Sequence, residues 1–111
     1  MSVTPKTLID SQQIANSATT YYTATNVRTI IDKFTVCNTT AGAVTVTVDI
    51  VDSGGSSGVT ERIISARSIA AGETYTCPEV VGHILDSGDF IAALASAATS
   101  LTLRASGREV T

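Results

Sequence analysis

Val44, Val46, Val48 and Ile50 occupy every second position of the stretch 43–51, with Thr45, Thr47 and Asp49 between them. That period of two is the pattern of a β-strand with one face in a core and the other in water. The same logic recurs along the chain. Thr19–Thr23 is a β-prone run, and Asn26 suits a turn. From Arg28 to Asn38, Ile30, Asp32, Phe34 and Val36 share one side, and Thr29, Ile31, Lys33, Thr35 and Cys37 share the other. Neither side is purely apolar, which predicts a central strand with polar neighbours or one carrying a bulge. Asn38–Gly42 reads as the turn of a hairpin into the 43–51 strand.

Asp52–Gly58 is rich in Gly and Ser and reads as an exposed, flexible loop tip. A strand follows over 61–70, anchored by Ile63, Ile64 and Ile69, and a tight turn at Ala70–Glu73 leads to a strand closed by Pro78. Val80, Val81, Ile84 and Leu85 have helical spacing, which predicts one short helical turn near 79–85. Gly82 weakens it. Phe90–Ser96 is apolar on both faces: Phe90, Ala92 and Leu94 alternate with Ile91, Ala93 and Ala95. Such a strand is sandwiched or lies at a subunit contact. Leu101 and Leu103 mark the last long strand, and Ser106–Gly107 permits a bend before Arg108–Val110. Seven or eight strands with short connections predict an all-β, antiparallel β-sandwich or jelly roll, whose strand order the pattern does not give. Residues 1–16 read as an N-terminal arm or edge strand, and 17–111 as a single sandwich domain.

At 111 residues the chain is one domain, long enough to bury about 65% of its unfolded surface without a metal or a disulfide framework. Charged residues make up 15% and the net charge is −3, with Lys and Arg scattered, so binding nucleic acid through its phosphates is not expected. A surface poor in charge and rich in Ser, Thr, Ala and Gly hints at assembly. Neither a secretion signal nor an apolar run long enough to cross a membrane is recognised, which places synthesis in the cytoplasm. Cys37 and Cys77 read as small buried hydrophobes, bridged only if the strands bring them together.

Reactive chemistry is sparse. His83 is the sole histidine and no Gly-x-Ser-x-Gly elbow surrounds any serine; Ser56 and Ser57 lie in the Gly-rich loop. The acids Asp49, Asp52, Glu61, Glu73, Asp86 and Asp89 fall mostly in turns and read as solvated rather than paired for glycoside chemistry. Asp86, Ser87 and Asp89 lack the spacing of a dedicated calcium loop, and Asp52–Gly55 lacks the Gly-Lys-Ser/Thr ending of a phosphate cradle. Asn38-Thr39-Thr40 matches a glycosylation acceptor without a secretory context. Tyr21, Tyr22 and Tyr75 are candidates for core packing, an interface or a carbohydrate platform. The residues therefore point to a non-enzyme without cofactor or metal.

Several phrases carry a resemblance: Thr20-Tyr21-Tyr22-Thr23, Val36-Cys37-Asn38-Thr39-Thr40, Val44–Val48, Ser68–Tyr75 with its Ala-Gly-Glu-Thr-Tyr core, Leu85–Ile91 with Gly-Asp-Phe-Ile, and the closing Ala105–Thr111. Over roughly residues 17–111 the chain resembles small β-rich virion structural proteins of tailed bacteriophages and prophages, of the capsid-decoration or tail-accessory kind. The resemblance implies a non-catalytic component of the particle, assembled in the bacterial host cytoplasm. Its implied partners are further copies of itself and other virion proteins such as the major capsid or tail proteins, with no nucleic acid and no membrane. Contact candidates are Leu8, Ile9 and Ile14 in the arm, Tyr21 and Tyr22, and Phe90, Ile91 and Leu94 in the two-sided strand. A carbohydrate-binding module of a receptor-binding tail assembly, using the tyrosines, is the alternative.

Overall fold

The computed structural model describes residues 2–111. The strands are β1 (Val3–Gln13), β2 (Thr19–Thr23), β3 (Arg28–Asn38), β4 (Val44–Val51), β5 (Arg62–Ile69), β6 (Thr74–Tyr75), β7 (Ile84–Leu85), β8 (Phe90–Ala95) and β9 (Leu101–Val110). They form two antiparallel sheets. The first has the order β1-β9-β3-β6, with β7 also on β3, and the second β2-β8-β4-β5. The chain passes from one sheet to the other at nearly every connection, staying within a sheet only from β4 to β5 and from β6 to β7. That is the winding of a jelly roll, in which the two sheets face each other across one core.

The expected β-sandwich is therefore present, with nine strands rather than seven or eight. The N-terminal segment, expected as an arm or an edge strand, is one of them. Residues 3–13 are not a free arm; they pair along β9 from Val3 opposite Val110 to Gln13 opposite Thr102. A bulge between Thr7 and Ile9 turns two successive side chains inward, so Leu8 and Ile9 are both buried.

The edge of the first sheet accounts for the other difference. Its outermost strand comes in two pieces, β6 opposite Val36 and Cys37 and β7 opposite Thr29 and Ile30. The expected helical turn near 79–85 is absent. The chain leaves the edge after β6 and makes tight turns, with the Val80 amide donating to the Cys77 carbonyl at 3.0 Å and the His83 amide to the Val80 carbonyl at 3.3 Å. Gly82, at φ 91°, then brings it back, and its amide donates to the Ile31 carbonyl at 2.7 Å. Cys77 and Val80 drop into the core, Leu85 points in, and Val81 and Ile84 point out. The spacing that resembled a helix face is divided between a turn and a strand. The one helical turn among the described residues is a 3₁₀ turn at Val59–Glu61.

The mixed faces of 28–38 have a single cause. A bulge between Ile31 and Lys33 shifts the alternation by one residue. Thr29 and Ile31 point inward before it, and Phe34, Val36 and Asn38 after it. Opposite Ile31 on β9 is Gly107. A Cβ there would lie 2.1 Å from the Ile30 carbonyl oxygen and 3.0 Å from Leu8 Cδ1. Gly107 is needed for this close approach, and β9 runs unbroken through it to Val110.

Polar groups close the two open sides of the sandwich. Along β1 and β2, the Tyr22 hydroxyl donates to Glu109 Oε2 at 2.6 Å and pairs with the Thr29 hydroxyl at 2.7 Å, joining the second sheet to the first. Lys6 Nζ sits 3.3 Å from the same carboxylate, and the Ala15 amide donates to the Tyr21 hydroxyl at 2.8 Å. Burial and the donated bond to Glu109 push Tyr22 up to about 12, while the Tyr22 hydroxyl, and then Lys6, hold Glu109 below the usual carboxylate range. Along β5 and β6, the Arg67 guanidinium lies 4.2 Å from the centre of the Tyr75 ring, and the Tyr75 hydroxyl donates to Glu79.

Two predictions test these features. Gly107→Ala loses about 2–3 kcal/mol in urea denaturation, because a backbone carbonyl must move. Gly42→Ala, with open space around it and no left-handed backbone, changes stability by less than about 0.5 kcal/mol. Tyr22→Phe costs about 1–2 kcal/mol at neutral pH. Glu109 has a lowered folded-state value, so its contribution is present above its unfolded value near 4.5 and fades below it; the gap between wild type and Tyr22→Phe narrows below about pH 4. Tyr22 has a raised value, so its contribution is complete below pH 10 and fades towards about 12, and the variant lacks that alkaline loss.

Candidate functional site

The sequence-predicted contact residues are mostly inside. Leu8, Ile9, Ile14, Tyr22 and Ile91 belong to the buried core. Their alternation or bulge position turns them towards the facing sheet, so as contact candidates they are corrected to core. Tyr21 is half-buried against that core, its hydroxyl occupied by the Ala15 amide. Tyr21 and Tyr22 thus present no open aromatic platform for a sugar. Phe90 and Leu94 alternate out of the core and are half-buried on the outer face of the second sheet, opposite Val51 and Thr47.

The reactive candidates are dispersed or occupied. His83 is exposed in the turn before β7. The Asp89 carboxylate accepts the Ser53 amide at 2.9 Å and the Asp86 amide at 3.0 Å, tying the loop after β4 to the turn before β8. Asn38 is fully buried, with Nδ2 donating to the carbonyls of Gly42 (2.8 Å) and Ile69 (2.9 Å), so its amide joins two turns and is shielded from modification. Cys37 lies on the outer side of the first sheet and Cys77 in the core, and both are free thiols. Burial pushes the Cys77 thiol up to about 12, which keeps it protonated. Among the described residues no three His, Cys, Asp or Glu side chains come together as a metal site.

One buried acid has a structural partner set. Asp49 points to the outer side of β4 yet is 2% exposed. Its carboxylate receives Arg62 Nε at 2.9 Å and the Ser57 hydroxyl. Burial alone would raise its carboxyl, but the guanidinium and the hydroxyl overcome that and hold it below the ordinary range. The Gly/Ser loop, expected to be a flexible tip, is therefore anchored at both its ends, by Ser53 to Asp89 and by Ser57 to Asp49.

An exposed apolar surface remains on the outer face of the first sheet. The register sets Pro5, Arg108, Ile30 and Ile84 side by side on β1, β9, β3 and β7. The next row is Val3, Val110 and Arg28. Ile84 is 58% exposed and Val3 50%. A groove of about 480 Å³ lies between Arg28, Ile30, Ile84, Asp86 and Val110. The Arg28–Asp86 ion pair, at 3.4 Å, belongs to its lining, and Arg108–Asp32, at 2.9 Å with two guanidinium nitrogens engaged, lies beside it. Sequence reasoning missed this surface because its members come from four strands. The only local signal was Ile84, which the helical reading had turned inward. A face of this kind offers van der Waals and ionic contacts to another surface.

No protein-family model matches the chain, and no curated protein matches it. The tailed-phage resemblance is thus without a matching family. Among solved structures, the fold is similar to a chain in the structure of infectious bursal disease virus, Gx strain. The superposition has a TM-score of 0.52 at 14% identity and covers 98% of this chain and 33% of that one. The chain therefore spans about a third of the length of that viral chain, and the likeness is one of fold.

Proposed function

We propose that this chain is a structural component of a virus particle, non-catalytic, acting through protein–protein contacts. The observation that carries the reading is the fold itself: a jelly-roll winding whose whole length is similar to part of a chain from a virus structure. Jelly rolls also serve as lectin and cupin domains, so the fold alone does not assign a role. Here the tyrosines that would face a sugar close the sandwich, and the outward features are an apolar sheet face bordered by paired charges. Such a surface suits assembly. At the finer level, the phrases that resemble those of tailed-phage virion proteins favour a capsid-decorating or head–tail surface module that meets the major capsid or tail proteins in the bacterial cytoplasm and stays on the virion.

Density-gradient fractionation of particles from cells expressing a tagged chain tests this. The chain is expected in the particle band and retained through a salt wash. His83→Ala is expected in the same band at the same occupancy. Recovery only at the top of the gradient, with particles complete, overturns the reading.

A further inference from the structure

We propose that the outer face of the first sheet, centred on Ile84, pairs with the same face of a second copy of this chain across a two-fold axis. The exposed side chains have no use within the fold. Leu85 must point inward to fill the core, so the short strand β7 holds Ile84 out, beside Ile30 and across the groove from Val110. An apolar surface rimmed by polar groups is the mark of a contact.

Charge selects the occupant. A two-fold axis sets a surface against itself, so a patch of one sign repels its own copy. This patch carries two guanidinium groups and two carboxylates, Arg28 with Asp86 and Arg108 with Asp32, and is neutral on a chain of net charge −3. Arg28 and Asp86 are the looser pair, with side chains 74% and 71% exposed, and are free to exchange partners with the copy. The bidentate Arg108–Asp32 pair stays within its own chain.

Edge-to-edge pairing through β1, the strand that borders this face, is obstructed by Pro5, Lys6 and two bulges, the devices that blunt a strand edge. The pairing is a property of the chain alone; its use in a particle rests on the virion role proposed above.

Sedimentation equilibrium of the purified chain across about 1–500 µM is expected to show a reversible monomer–dimer equilibrium. Ile84→Lys, at an exposed site and with an unchanged circular-dichroism spectrum, is expected to weaken the dimer at least tenfold. Arg28→Asp weakens it as well, and Arg28→Asp with Asp86→Arg restores it, since the exchanged pair meets again across the axis. If Ile84→Lys does not fold, the charge exchange carries the test. A wild type that stays monomeric throughout, or variants that dimerise as tightly as wild type, overturns the proposal. A monomer that still bands with particles sinks this inference alone, whereas a dimer that never bands with them sinks the virion role alone.

Discussion

Strand parity decides which side of this molecule every residue occupies, and bulges reset that parity at chosen points. The bulge at Ile31/Lys33 lets β3 bury Thr29 and Ile31 at one end and Phe34, Val36 and Asn38 at the other. The bulge near Leu8 lets β1 bury two neighbours at once. Gly107 sits between them, where a side chain would meet both the β3 backbone and Leu8. Without these resets one half of each long strand would face the wrong way, and core and contact face would be exchanged.

With parity set, closure of the sandwich falls to a few polar groups. Burying a hydroxyl or a carboxylate is favourable only when each finds a partner. Tyr22, Thr29 and Glu109 satisfy one another across the two sheets, and Asp49 is satisfied by Arg62 and Ser57. No buried side-chain polar atom is left unpartnered among the described residues. The polar chemistry that looked available in the sequence is thereby spent on structure. Asp89 and Asn38 are further cases, each bonded to backbone groups that join separate loops.

An apolar and charge-paired face remains outward. That links the fold to its proposed use. A two-layer sandwich is stiff because both layers share one interdigitated core, and a stiff scaffold holds a flat face at constant shape for repeated contacts. Symmetry then multiplies a modest contact into a durable assembly.

The secondary-structure class, the long strands and the alternating core positions within them are legible in the residues alone. Period-two alternation is local, and the residues of Val44–Ile50 and of Leu101–Ala105 carry it. It also exposed the β3 irregularity, since a bulge leaves both faces mixed. The rest depends on partners distant in the chain. Whether Leu8 and Ile9 form an arm or a strand depends on β9, some hundred residues away in the chain. Whether Val80 to Leu85 form a helix depends on the open edge of β3, which offers Ile31 hydrogen bonds that a local helix would have to forgo. The contact face could not be read at all, because Pro5, Ile30, Ile84 and Arg108 become neighbours only through the register of four strands, and register is fixed by packing across the whole sandwich rather than by any one segment.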